Sequence, residues 1–403
     1  MLKTPNSPTS TTDNLLGSQR TWLPGIEILR GIAALSVVFH HSWSIGTMPR
    51  FRGSWILEGF GAWGVSLFFV LSAFLLADHF WRAPPQNGLK NFYVRRVFRI
   101  VPAYYINITI LFLFFANHTL LFSKFGAKQV GYNFAFLHYL TPDTSSSLNV
   151  NGALWTLTIE AMLYLFMPLL AIFTRATKGW GVLIIIGIGL AYRLYVAISG
   201  ASLQKLYFDS GFDTSVARLY LARQFIGLLP LFGLGIGMKW ILLKRPTLTQ
   251  LKTPKFLPAS LTLTTLLIPS VLALVWVERA SFYNHWVWFT GWHFLIGVLF
   301  LPALIVAARP ISTDTETGIF DRGLRWVGER SYGLYLWHFP IILSVYGRGP
   351  FEAAANVNPW MPKMLLILGL SLAAAALSWK LVEEPAQSFA RRITSGSRFT
   401  KST

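Results

Sequence analysis

The sequence predicts an all-α, polytopic integral membrane bundle of about ten transmembrane helices with both termini in the cytoplasm. Three observations carry that expectation. Charged residues make up 13% of the 403 residues and hydrophobic ones 53%, which is about half the charge of a typical soluble domain. Leu, Ile, Phe and Trp replace the missing charge, so the surface is apolar too, as a lipid-facing protein requires. Apolar runs of about 20 residues, the length that crosses a bilayer, recur along the chain.

The runs fall in order. The first, near 26–46, carries an arginine and two histidines; the second covers 60–80. The third, 100–122, follows a cluster of arginines, and the fourth, 152–174, holds a lone glutamate. The fifth, 180–199, is Gly-rich at its start, and the sixth, 219–243, contains GLGIG at Gly233 to Gly237. Inside a span that segment reads as helix packing rather than a phosphate loop. The seventh, 257–277, contains Pro269; the eighth to tenth lie near 286–308, 331–349 and 363–382. The aromatic run Tyr132 to Leu140 is too short to span, and reads as lying at an interface or re-entering.

Charge sets the orientation. With a cytoplasmic N-terminus, 23 of the 35 Lys and Arg fall on the inner side and 11 on the outer, as the positive-inside rule requires. Topology therefore accounts for most of the net charge of +19, and nucleic-acid binding is set aside. Residues 1–22, polar and without an apolar core, read as a disordered cytoplasmic tail rather than a signal peptide. A membrane domain over 23–388 and a basic cytoplasmic tail over 389–403 complete the organisation. The chain has no cysteine, which excludes disulfides, cysteine nucleophiles and thiolate metal sites; no metal is expected.

Five constellations could carry chemistry. In the first span, Arg30 and His41 are eleven residues apart, about three helical turns, so they share a face about 16 Å apart along the axis. His40 points about 100° away. Arg30 either reaches lipid phosphates or serves a site. His41 either packs or acts as a general base in a buried cavity. Arg95, Arg96 and Arg99 precede Pro102; they mark topology, or they attract the phosphates of lipid heads or of a phosphorylated cofactor. Glu160, alone in its span, must be paired, protonated or functional. His338 stands two residues before Pro340, which can kink the helix and free a carbonyl. Glu383 and Glu384, just before Pro385, read as a structural ion pair with the basic loops.

Together these segments resemble membrane acyltransferase family 3, whose members O-acylate cell-surface saccharides and some small molecules. The likeness runs from about Glu27 to Ala386. Arg30 and His41 fit the family's first-span spacing, and LFFVLSAFLL (Leu67 to Leu76) looks like its second-span motif, with Ala73 where Gly is usual. FYVRRVFRIVPAYY is similar to the arginine-rich segment, LWTLTIEAMLYLFMP to the Trp-x4-Glu stretch, and SYGLYLWHFP to a further motif. Ala161 stands where a second acid is frequent, and Glu27 where Asp is common.

The resemblance implies a single-domain member without the extracytoplasmic hydrolase-like domain. It also implies an acyl-CoA donor, acetyl-CoA first, on the cytoplasmic side, and an acceptor hydroxyl of a saccharide or glycolipid deeper in or beyond the membrane. Arg30, Arg95, Arg96 and Arg99 would then hold phosphate, and His41 would take the acceptor's proton. Glu160 would orient His41 or bind the sugar, and His338, Tyr335, Trp155 and Ser72 would line the cavity. The expected setting is a bacterial cytoplasmic membrane. Acylation of a macrolide-like molecule, succinyl transfer, and a transporter or flippase are the competing readings.

Overall fold

Every regular element among the described residues is helical, as the backbone requires where no water can satisfy its polar groups. The computed structural model describes residues 23–46, 54–81, 88–145, 150–208, 213–250, 285–309, 318–346 and 360–394. The expected tail at 1–22, the seventh span at 257–277 and the last residues of the basic tail lie outside the described residues. The helices are α1 (Pro24–Ile45), α2 (Ser54–Trp81), α3 (Gly88–Phe114), α4 (His118–Leu121), α5 (Lys124–Phe134), α6 (Trp155–Ala176), α7 (Gly181–Tyr207) and α8 (Thr214–Ala222). They continue with α9 (Phe225–Lys244), α10 (Thr247–Gln250), α11 (Trp286–Leu299), α12 (Leu301–Ala307), α13 (Ile319–Glu329), α14 (Ser331–Val345), α15 (Trp360–Ser378) and α16 (Glu384–Thr394).

Among the described residues, seven helices are long and apolar enough to cross a membrane: those running over Gly59–Trp81, Gly88–Phe114, Trp155–Ala176, Gly181–Tyr207, Phe225–Lys244, Trp286–Ala307 and Trp360–Thr394. Lipid-facing stripes mark them. Leu165, Leu169 and Ile172 on α6 are 60%, 63% and 61% exposed at i, i+4 and i+7, one face of a helix. The third helix departs from its expected bounds. It begins at Gly88 rather than near 100, so the arginine cluster lies inside the helix, and Pro102 is accommodated within it.

The first and ninth expected spans occupy the interior. α1 is buried over most of its length, between α2, α13, α14 and α15. Its glutamate, arginine and histidines are thereby kept from lipid. α14 has 15 residues rather than the expected nineteen, about 22 Å of helix, less than the hydrocarbon core. Backbone contact fixes α1 on α13: a Cβ on Gly328 would stand 1.8 Å from the Glu27 carbonyl oxygen. Gly235, in GLGIG, likewise faces the Val70 carbonyl on α2, where a Cβ would come within 2.3 Å. That segment is a packing surface.

Two further segments differ from or refine the sequence reading. After α5 the chain turns inward: His138 is fully buried, with Nδ1 3.3 Å from the Thr158 hydroxyl, and Tyr139 packs against Trp155 and Tyr220. Among the described residues Glu383 forms no ion pair. A turn of π-helix, Trp379–Glu383, separates α15 from α16 and swings the Glu383 carboxylate inward, where it accepts a 2.8 Å bond from Ser378.

Candidate active site

Three elements bring the chemistry together: α1, the N-terminal half of α6, and α14. The local order of α14 follows from its proline. Pro340 has no N–H for the carbonyl four residues back, which is that of Leu336. That oxygen instead accepts from the Asn107 and Asn151 side-chain amides, at 3.3 and 3.2 Å. The helix is thus tied to α3 and to the entry of α6, and His338 is held two residues from the anchor.

His338 is fully buried, and its Nδ1 lies 2.7 Å from the Tyr335 carbonyl. A carbonyl only accepts, so Nδ1 carries the proton and the neutral ring offers Nε2 as an acceptor. His41 Nδ1 lies 2.9 Å from that Nε2. His41 must therefore donate through Nδ1, which assigns the lone pair to its own Nε2. The network selects the tautomer that a general base needs. His40 is committed elsewhere, with Nδ1 3.0 Å from the Leu57 carbonyl.

Two cavities adjoin here. One, of about 90 Å³, is lined by Arg30, Arg96, Arg99, Glu160 and Ser72. The other, of about 220 Å³, is lined by His40, His41, His293, Trp155, Arg193 and Arg223. Val65, Phe69 and Tyr335 border both. Arg30 and His41, both on α1, each line a different cavity. The Tyr335 hydroxyl accepts a 2.6 Å bond from Thr156 and donates to the Ala153 carbonyl.

The arginine cavity shows how its charges are held. Arg30 is buried rather than reaching lipid, bonded to Glu27 at 2.8 Å and to Ser331 at 2.8 Å. Arg96 lies over the rings of Phe92 and Tyr164, 5.9 and 5.8 Å from their centroids. Glu160 accepts a 2.5 Å bond from Tyr164; it faces this cavity, while the ring partner of His41 is His338. Arg95 is not brought to either cavity, because its Nε donates to Thr394 at 2.9 Å.

The sequence reading missed Arg193, Arg223, His293 and Ser331. Arg193 was detectable by the rule applied to Glu160, a lone ionisable residue in an apolar span. His293, the lone ionisable residue of the span at 286–308, was detectable by the same rule; Ser331 carries no such signal.

Residues 23–380 match the acyltransferase domain that defines acyltransferase family 3. The chain belongs to that family. It is 26% identical over 383 residues to the peptidoglycan O-acetyltransferase OatA of Listeria monocytogenes, covering 91% of this chain and 56% of that protein. It is 28% identical over 393 residues to YrhL of Bacillus subtilis, provisionally named a peptidoglycan O-acetyltransferase, covering 92% and 57%. The chain therefore spans a little over half the length of these relatives. No solved structure matches it.

Proposed function

We propose that this chain is a membrane O-acyltransferase. It moves an acyl group, acetyl first among them, from acyl-CoA to a hydroxyl of a cell-envelope saccharide or lipid-linked glycan. The observation that carries the reading is the relay from the Tyr335 carbonyl through His338 to His41, which leaves His41 Nε2 as an acceptor at the wall of the larger cavity. The names of the relatives support an acetyl group and a glycan acceptor.

In this reading the arginine cavity opens to the cytoplasm. Arg30, Arg96 and Arg99 meet the donor's phosphates and Glu160 supplies counter-charge to Arg30 and Arg99. The acceptor hydroxyl occupies the larger cavity, where His41 Nε2 takes its proton as the oxygen attacks the thioester carbon. The carbon–sulfur bond breaks, and His41 returns the proton to the departing thiolate. His338 accepts from Nδ1 throughout and stabilises the imidazolium, so it is a positioning residue. General-base help of this kind is worth about 10²–10⁴ in rate. Such a protein belongs in a bacterial cytoplasmic membrane, with the larger cavity outward.

The test is mass analysis of envelope glycans from cells with the wild-type chain, with His41→Ala, and without the protein. An acyl mass present only with wild type is expected. Acylation undiminished by His41→Ala refutes the role of His41, and glycans translocated yet never acylated point to a transporter.

A further inference from the structure

The larger cavity has an imbalance of charge that general-base chemistry does not use. Two arginines and three histidines line it, and no Asp or Glu is among its lining residues. Arg193 is 3% exposed in the middle of α7. Its Nε, Nη1 and Nη2 donate to the carbonyls of Thr290, Ala222 and Phe289 at 2.9, 3.2 and 2.6 Å. Those carbonyls satisfy its hydrogen bonds and supply no opposite charge. Arg223, at the end of α8, lies over the Trp155 ring, 4.8 Å from its centroid, and also touches the Tyr139 hydroxyl.

Among the described residues neither guanidinium has a carboxylate partner. Desolvated cations without a counter-charge are costly, and the structure retains two at one cavity. The two differ in kind. Arg193 is immobilised by backbone and sets a fixed positive field. Arg223 is half-buried, its guanidinium bonded to no carbonyl among the described residues and set against an aromatic face, with fork donors left for a planar or tetrahedral anion.

We propose that the larger cavity is a subsite for an anionic group carried by the saccharide acceptor, a carboxylate or a phosphate received by Arg223 with Arg193 behind it. The identification of the ligand as the acceptor rests on the proposed function; the anion preference itself rests on the cavity. Acceptor choice is thereby an electrostatic selection as well as a steric one. The anion clamps the sugar, and its hydroxyl is presented to His41 on the same wall.

The experiment uses the purified full chain in detergent, without donor. Binding of N-acetylmuramic acid, its methyl ester and N-acetylglucosamine 1-phosphate is measured by calorimetry on wild type, Arg223→Gln and Arg223→Lys. Unliganded melting curves establish that each variant is folded. At least one charged probe binds wild type about 10- to 100-fold tighter than the neutral ester, the span of one charge-assisted bond. Whichever charged probe binds tighter identifies carboxylate or phosphate as the source. Arg223→Gln removes the preference and Arg223→Lys keeps part of it. Equal binding of charged and neutral probes, or a preference unchanged in Arg223→Gln, overturns the proposal. If the preference holds and the wild type, supplied with acetyl-CoA in a separate run, transfers no acetyl group to any probe that it binds, the acyltransferase reading fails while the anion site stands.

Discussion

The dependence of His41 on His338 is open to a sharp test. Replacing His338 with Ala removes the acceptor of a 2.9 Å bond and leaves the His41 Nδ1 donor buried and unmatched. A bond to a group that becomes charged is worth about 1.5–3 kcal/mol, so kcat should fall about 10- to 150-fold, less than the loss from deleting His41 itself. Donor KM should hold, because the arginine cavity is untouched. His338→Gln offers an amide oxygen to the same Nδ1 and should recover part of kcat. Steady-state transfer of radiolabelled acetyl from acetyl-CoA to glycan strands supplies both constants. The decisive comparison is the pair of single variants with the double: once His41 is gone, removing His338 should cost nothing further, since the two act as a unit. Losses that multiply, or a His338→Ala enzyme with full kcat, would refute the relay.

Other expectations follow from the same geometry. Arg99→Ala should raise donor KM, whereas Arg95→Ala, whose side chain is tied to Thr394, should leave it within about twofold of wild type; a reversal of that order in kinetics would place the donor elsewhere. Gly328→Ala forces a Cβ against the Glu27 carbonyl and should destabilise by about 1–3 kcal/mol, read as a lower melting temperature in detergent; an unchanged melting curve would contradict the backbone contact. His138, outside the spans, is pushed down to about 4 by burial. Because its folded value lies below the ordinary 6.5, full stability holds above pH 6.5 and is lost as pH falls towards 4, by about 3 kcal/mol at the limit. The melting curve of wild type should therefore drop between pH 7 and 4.5 more than that of His138→Gln, and parallel drops would remove His138 as the cause.

Much of this was legible from composition and spacing, for identifiable reasons. Lipid imposes length and apolarity on each span, so the seven long apolar helices overlap runs that hydropathy places. The start of α3 was misjudged because a hydropathy reading stops at charge, whereas Arg96 and Arg99 are sheltered by aromatic rings and a cavity rather than by water. Four residues apart on one helix, Arg95 and Arg99 share a face, yet Thr394 on α16 captures Arg95, a contact between residues almost three hundred positions apart. The partner of His41 was hidden in the same way. His338 was singled out as a cavity wall, but its role depends on which nitrogen faces which acceptor, and only the fold reveals that. The freed carbonyl behind Pro340 was expected from the sequence; the two asparagines that occupy it were not.

The residues bordering both cavities have one more consequence. On the proposed function one reactant comes from each face of the membrane, and a protein built that way risks becoming a leak in it. Val65 and Phe69 offer water no hydrogen bonds at the border, and the Tyr335 proton is pinned on a carbonyl, so no hopping chain passes through the hydroxyl. On the proposed function, the acyl group crosses a border that offers water and ions no polar path of its own.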